Sequence, residues 1–476
     1  MSQSQYPERM PANFVPIEQL RRRTNSKSGD IEEPDAGVVE EQLRRFKEHL
    51  SLDEQAALES ILGTRNTALT ALGAVSPDEI LNAEERKVVD RLLAAPLSSQ
   101  RTLPAQVTLI MKATRYCNLR CTYCSSWSDK PNQTMSFEVL AHSIHGVLSA
   151  PGVNTAGFIW HGGEPTLLPI AFYRKALWLQ ERFRRAGQTT SNSIQTNGTR
   201  LNEQWLTFLK RYGFSVGISL DGPPEIHDSR RVDVAQRPTS ERVQAGLREL
   251  QTHDIRHGVL MVVDEEVVRL GARRMLEFLL GLGVSRVSLL NVTPEGDPAE
   301  AADDEPYLTY GQFVEYLREL FEIWYPTYCN RISIREFNDL LGRLGGKGGS
   351  YCVYGPNCVG RFFTIEASGD VAHCDKYQRN PAFWFGNIVD SPLTDIPAAP
   401  ALLRAHGYTA AGMDLARGCP WFDVCHGGCP YDRYVRVIRQ NAAYDERCCG
   451  LAPLLTDMAE ATGHGSRGNQ EAVVNA

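Results

Sequence analysis

The sequence predicts an α/β protein. Its centre is a partial (β/α)6 TIM-like barrel, with an N-terminal helical extension before it and a C-terminal Cys-rich domain after it. Three observations predict this. From residue 105, short apolar runs alternate with amphipathic stretches of helical length, the pattern of parallel strands joined by helical crossovers. The 476 residues exceed what one ordinary core accommodates. The twelve cysteines are unevenly placed, three at 117, 121 and 124 and the other nine between 329 and 449.

The strands expected are Val107–Lys112, Gly157–Trp160, Asn192–Thr196, Ser215–Leu220, Gly258–Val263 and Arg286–Val292. Between them the spacing predicts helices over Phe137–Ser149, Pro169–Arg185, Asn202–Tyr212, Ser240–Thr252 and Gly271–Leu282. In such barrels the chemistry sits at the C-terminal ends of the strands. Upstream, 1–36 is polar and reads as disordered, and 37–104 as a helical extension. Helices are expected over 38–62, with a capping box at Ser51 and Glu54, and over 77–94, with Pro77 near its start. This extension either docks a leader sequence or caps the barrel. The barrel is assigned to 105–305 and a helical bridge to 306–345, with a helix over 311–325 and a Gly-rich linker, LGRLGGKGGS, at 341–350. Residues 346–455 are rich in Cys and Gly and poor in long helices, so metal is expected to hold them together. A polar tail, 456–476, closes the chain.

Charge and hydropathy exclude some classes. A net charge of −7 argues against non-specific nucleic-acid binding. No run of 18 apolar residues is present, and the start, MSQSQYPERMPANF, lacks a signal-peptide core. No membrane partner and a cytoplasmic location are expected. In a reducing compartment, clustered cysteines more often bind metal than form disulfides.

Cys117, Cys121 and Cys124 stand as CNLRCTYC directly after the first strand. Three thiolates are one short of a closed structural zinc site, whereas a four-iron cluster on three cysteines keeps one iron open for chemistry. A zinc knuckle is the plain alternative. The second strand runs into HGGEPTL (161–167), the third into QTNGT (195–199), the fourth into SLDGPPEIHDSRR (219–231) and the sixth into NVTPEG (291–296). Each could be ordinary turn chemistry, but together, each after a strand, they frame a ligand site.

The C-x3-C-x2-C spacing with Tyr123, and GGEP at Gly162, Gly163, Glu164 and Pro165, resemble the radical S-adenosylmethionine superfamily. The resemblance implies a [4Fe-4S] cluster on Cys117, Cys121 and Cys124 that cleaves S-adenosylmethionine to a 5′-deoxyadenosyl radical, fed by an external electron donor. It implies that Glu164 accepts hydrogen bonds from the ligand ammonium, that Arg230 or Arg231 pairs with its carboxylate, and that Asn197, Ser219, Asp221 and Asn291 line the site.

The C-terminal cysteines resemble the SPASM extension of these enzymes, which usually holds two auxiliary [4Fe-4S] clusters. By that resemblance Cys352, Cys358, Cys374 and Cys429 hold the first. Cys419, Cys425 and one of Cys448 or Cys449 belong to the second. The expected fourth ligand is missing, since position 416 is Ala. The spare thiolate of the Cys448–Cys449 pair, Asp414, Asp423 or His426 could replace it, or an iron stays open, so one or two auxiliary clusters are expected. A zinc ribbon is the alternative, and Cys329 is left without a role.

Asp375, directly after Cys374, matches an acidic residue that serves as a base in sulfatase-maturing relatives; a surface carboxylate is the bland alternative. The resemblance implies a peptide or small protein substrate. The leading expectation is a maturase that installs a Cys thioether cross-link, with the quinohemoprotein amine dehydrogenase maturation type as one candidate. The alternative is oxidation of Cys or Ser to formylglycine. An iron–sulfur electron carrier or a zinc-folded binding protein, without catalysis, is the alternative of another class.

Overall fold

The computed structural model describes residues 64–95, 102–124, 126, 133–291, 308–356, 358–377, 380–433 and 449–464. The expectations for 1–36, for a helix over 38–62, for Cys448 and for residues 292–296 lie outside the described residues.

Six parallel strands form where the apolar runs predict them: β1 (Gln106–Thr114), β2 (Thr155–Gly162), β3 (Thr189–Thr196), β4 (Ser215–Ser219), β5 (His257–Val263) and β6 (Arg286–Asn291). They pair in sequence order. A short β7 (Ser333–Ile334) adds to β6 in parallel. The helices Phe137–Ser149, Ile170–Phe183, Glu203–Arg211, Ser240–Thr252 and Ala272–Gly281 alternate with the strands. Two short helices, Pro224–Arg230 and Glu265–Leu270, were not predicted.

Side-chain alternation assigns the faces of the sheet. On β2, Ala156, Phe158 and Trp160 are fully buried. Trp160 packs edge-on against Tyr173 of the helix Ile170–Phe183, ring centroids 5.3 Å apart. Its indole N–H donates to Asn192 on β3 at 2.9 Å. That face meets the helices. Residues of the opposite parity, including Ile159 and His161 on β2, turn to the inside of the barrel.

The sheet does not stop at the six strands. β8 (Phe362–Ile365) pairs in parallel with β1, from Thr108↔Phe362 to Met111↔Ile365. β9 (Asp370–Ala372) and β10 (Trp384–Asn387) follow antiparallel. The ten strands run β10-β9-β8-β1-β2-β3-β4-β5-β6-β7. The Cys-rich segment therefore shares the sheet of the barrel, and residues 64–476 fall in one compact unit.

Three expectations are corrected. The helix over 77–94 is two, Pro77–Ile80 and Ala83–Ala94, because Asn82 and Glu85 form a capping box that starts the second. The Gly-rich linker begins inside a helix, Arg335–Leu344. The Cys-rich segment also contains a 17-residue helix, Pro400–Ala416. In the extension, Trp178 donates to the Val75 carbonyl at 2.9 Å and Lys175 pairs with Glu85 at 2.5 Å. The described part of the extension caps the barrel helices. No described helix is long and apolar enough to cross a membrane.

Candidate active site

β1 ends at Thr114, and the loop beyond it carries Cys117, Cys121 and Cys124. β2 closes over this loop. Gly163 N–H donates to the Thr114 carbonyl and Glu164 N–H to the Tyr116 carbonyl, both at 2.7 Å. Glycine is required here. A Cβ on Gly162 would stand 2.3 Å from the Thr114 oxygen, and one on Gly163 would stand 2.1 Å from the Tyr116 oxygen. Pro165 is buried and opens a 3-10 turn, and its carbonyl accepts from Tyr173 at 2.8 Å.

Glu164 is buried, and its carboxylate is held by the protein. One oxygen accepts from Thr166 N–H (2.9 Å), Thr166 Oγ1 (2.6 Å) and Thr196 Oγ1 (2.7 Å). The other accepts a single bond, from Asn197 N–H at 2.7 Å, and keeps a lone pair. Glu164 thereby ties the end of β2 to the end of β3. Asn197 extends the tie, donating to Asn118 of the cysteine loop at 2.9 Å.

Asp221 has a similar post beyond β4. It accepts from Tyr123 OH at 2.5 Å, Arg231 Nε at 2.6 Å and Val262 N–H at 3.0 Å. Burial raises its carboxyl, but Arg231 and Arg230 outweigh this and hold it below the usual carboxylate range. Arg231 also reaches Cys121 Sγ at 3.7 Å. Arg230 pairs with Asp264. Both arginines are buried and paired with carboxylates of this chain, and Arg230 Nε is buried without a hydrogen-bond partner among the described residues. Ser219 accepts from Gln195 Nε2 at 3.0 Å on the inner face. Asn291, at the end of β6, has its side-chain oxygen buried without a protein partner. An orphaned acceptor there suits a ligand N–H or O–H.

The cysteines fit iron–sulfur clusters. No disulfide joins one described cysteine to another. Burial pushes Cys117 up to about 12 and Cys121 to about 11, and neighbouring thiols add to the rise. A bound cation relieves such a set by making thiolates of it. Leu119 N–H already points at Cys117 Sγ, 3.3 Å away. Cys352 raises the pKa of Cys358, Cys374 and Cys429, which places the four near one another. Arg335 and Lys376 stand beside Cys352, and Lys376 is paired with Asp432 at 2.5 Å.

Among the described residues, three cysteines lie in the segment where the second auxiliary set is expected. Cys419 and Cys425 flank the turn of Phe422–Cys425, and Cys449 lies 3.3 Å from Cys425, sulfur to sulfur. Ala416 is buried, within 3.1 Å of the Cβ position of Gly427. Asp414 and Asp423 are exposed, the former paired with Arg417. His426 spends Nδ1 on the Tyr354 carbonyl at 2.9 Å.

Inside the barrel lies a polar group that the sequence reading only half found. Lys112 of β1 stands opposite His161 of β2 in register, with Nζ 3.1 Å from Nδ1. The same ammonium is 2.5 Å from Asp375 Oδ1. Arg115, just beyond β1, pairs with Glu366, just beyond β8, at 2.6 Å. Burial raises Asp375, but Lys112 leads the charges that hold it below the usual carboxylate range. Lys112, His161, Arg115 and Glu366 were missed. The signal was there, in a lysine at an inner position of a buried strand.

An inner face with radical-enzyme motifs at the strand ends, and thiol sets of three and four, defines an enzyme class: radical-forming iron–sulfur enzymes that bind S-adenosylmethionine. Residues 111–279 match the radical SAM superfamily domain. The chain is 30% identical over 357 residues to a cysteine-type anaerobic sulfatase-maturating enzyme of Clostridium perfringens, covering 72% of this chain and 93% of that one. It is 27% identical over 360 residues to a serine-type enzyme of Bacteroides thetaiotaomicron, covering 70% and 84%. A solved structure of native anSMEcpe with bound AdoMet and Cp18Cys peptide superposes with a TM-score of 0.65 at 27% identity, over 75% of this chain and 96% of that one. The chain belongs to the radical SAM superfamily, in the family of the anaerobic sulfatase-maturating enzymes.

Proposed function

We propose that the protein oxidises the side chain of a cysteine or serine in a peptide or small protein to the aldehyde of formylglycine. The observation that carries this is Asp375: it follows a cluster cysteine, enters the barrel and is held there by Lys112. The relatives' activities favour formylglycine over the thioether cross-link that the sequence reading put first. Ala416 leaves the second auxiliary site one ligand short, but similarity across most of the relatives' length outweighs that gap.

When bound, the cluster on Cys117, Cys121 and Cys124, with an external electron donor behind it, supplies the electron that opens S-adenosylmethionine to methionine and a 5′-deoxyadenosyl radical, and the auxiliary clusters supply an acceptor for one substrate electron. The substrate Cβ loses a hydrogen atom. It then loses one electron and the thiol or hydroxyl proton, giving a thioaldehyde or an aldehyde. Water converts a thioaldehyde to the aldehyde and releases hydrogen sulfide. Asp375 takes the proton: its Oδ1 is sealed against Lys112, while 40% of the side chain stays exposed. The inner barrel walls exclude water from the radical.

The test is anaerobic turnover with a strong reductant and peptides carrying Cys or Ser, followed by mass spectrometry and aldehyde trapping. An aldehyde product that is lost in Asp375→Asn, while 5′-deoxyadenosine still forms, is expected. A thioether product would sink the reading.

A further inference from the structure

Lys112 is a buried charge on the inner face of the barrel. Its side chain is 3% exposed. A buried ammonium is costly unless it is paired and hydrogen-bonded, and this one finds two groups, each on a different segment of chain. Asp375 supplies the charge at 2.5 Å, and His161 supplies an acceptor at 3.1 Å.

The roles of the imidazole follow from the donor inventory. An ammonium only donates, so Nδ1 of His161 carries a lone pair and the ring proton sits on Nε2. Burial, with Lys112 adding to it, lowers the imidazole to about 4, so the ring is neutral at neutral pH. His161 therefore acts on Lys112 as an acceptor and not as a counter-charge. Asp375 is the partner that balances Lys112, and the neighbouring Arg115–Glu366 pair balances itself.

We propose that Lys112 is a positioning residue for substrate deprotonation: anchored by His161, it fixes the Asp375 carboxylate inside the barrel so that the substrate proton and electron leave together. This rests on the reading of Asp375 as the base. Asp375 follows β9, and β9 reaches β1 only through β8. The turn that holds it, Asp375–Tyr377, is a single 3-10 turn. Without Lys112 its carboxylate loses its ion-pair partner, and a carboxylate misplaced by an ångström loses much of its advantage.

The experiment separates hydrogen abstraction from completion of the oxidation. Wild type, Lys112→Met, Lys112→Arg and His161→Gln are each reconstituted and given a Cys-containing peptide deuterated at Cβ. Deuterium in 5′-deoxyadenosine counts abstractions, and any peptide oxidised by two electrons counts completions. In Lys112→Met the completions per abstraction are expected to fall about tenfold or more while deuterium transfer continues. Lys112→Arg is expected to recover part of the ratio, because it keeps the charge. His161→Gln keeps an acceptor for the ammonium, so its ratio is expected to fall less than that of Lys112→Met.

An unchanged ratio in Lys112→Met overturns the proposal. Equal loss of deuterium transfer and product, with weakened S-adenosylmethionine binding, overturns it as well, since that is a merely structural effect. If Lys112→Met does not fold, Lys112→Arg and His161→Gln decide: a ratio in both as low as in Asp375→Asn overturns it. The identity of the wild-type product tests the formylglycine reading separately, because the ratio is defined for any two-electron product.

Discussion

The guanidinium of Arg231 binds Asp221 at 2.6 Å and reaches the sulfur of Cys121 at 3.7 Å. One buried ion pair thus supports the floor of the cysteine loop. Tyr123 joins it from the loop itself, its hydroxyl on Asp221 and its ring 5.4 Å from the Arg231 guanidinium carbon.

Asp221→Asn therefore leaves Arg231 buried without its counter-charge. Breaking such a pair costs about 3–5 kcal/mol. A lower melting temperature is expected, together with poor retention of iron by the first cluster. Thermal unfolding and iron counting after gel filtration check both.

Gly163→Ala places a methyl group where the Tyr116 carbonyl stands. Either the loop or the end of β2 must shift. Loss of S-adenosylmethionine cleavage is expected, with a folded barrel by circular dichroism. Gly187→Ala, where an added Cβ meets nothing within 4 Å, is the control for substitution as such; its φ of 87° costs about 1 kcal/mol.

His227 predicts a pH dependence of stability. Asp221 N–H donates to its Nδ1, and its Nε2 lies 3.1 Å from Thr239 Oγ1. The Thr239 hydroxyl donates to the Arg231 carbonyl, so Nε2 must carry the ring proton and Nδ1 must stay bare. Burial lowers this histidine to about 4, with Arg231 adding to it. The unfolded chain takes up the proton first, near its ordinary pKa of 6.5. The contribution is full above that pH and is lost as pH falls toward 4, a span worth roughly 3 kcal/mol. Denaturant titrations across that window should show a shallower slope for His227→Gln.

Cys358→Ala removes one member of the mutually interacting set of four. Reconstituted protein should then hold about four fewer irons, with the first cluster intact by its response to S-adenosylmethionine. Zinc in place of iron in the wild type would overturn the cluster assignment.

The six barrel strands were legible because strands buried on both faces read as short apolar runs between turn residues. Their polar ends, such as Thr155 and Thr189, still join the ladder and extend them. β8, β9 and β10 were not legible: FFTI, DVA and WFGN are too short to stand out, and β8's partner, β1, is far away in sequence. Glu164, Asp221, Arg230 and Arg231 were legible as site residues, but the protein groups that hold them were not. A carboxylate's partners come from other strands, and only folding brings Thr196 to Glu164 or Tyr123 to Asp221. Lys112 was legible as a lysine within a buried strand, but its partners were not, because a strand's register with its neighbour is not written in its own residues.

The pairing of β8 with β1 has a mechanical consequence. One strand leads to Cys117, and the strand hydrogen-bonded beside it leads, through β9, to Cys374. The gap between the two thiol sets is spanned by a ladder, not a hinge, and it cannot open or close without tearing main-chain bonds. On the proposed function, the flexibility of the polypeptide substrate, and not a hinge between the two thiol sets, supplies the fit.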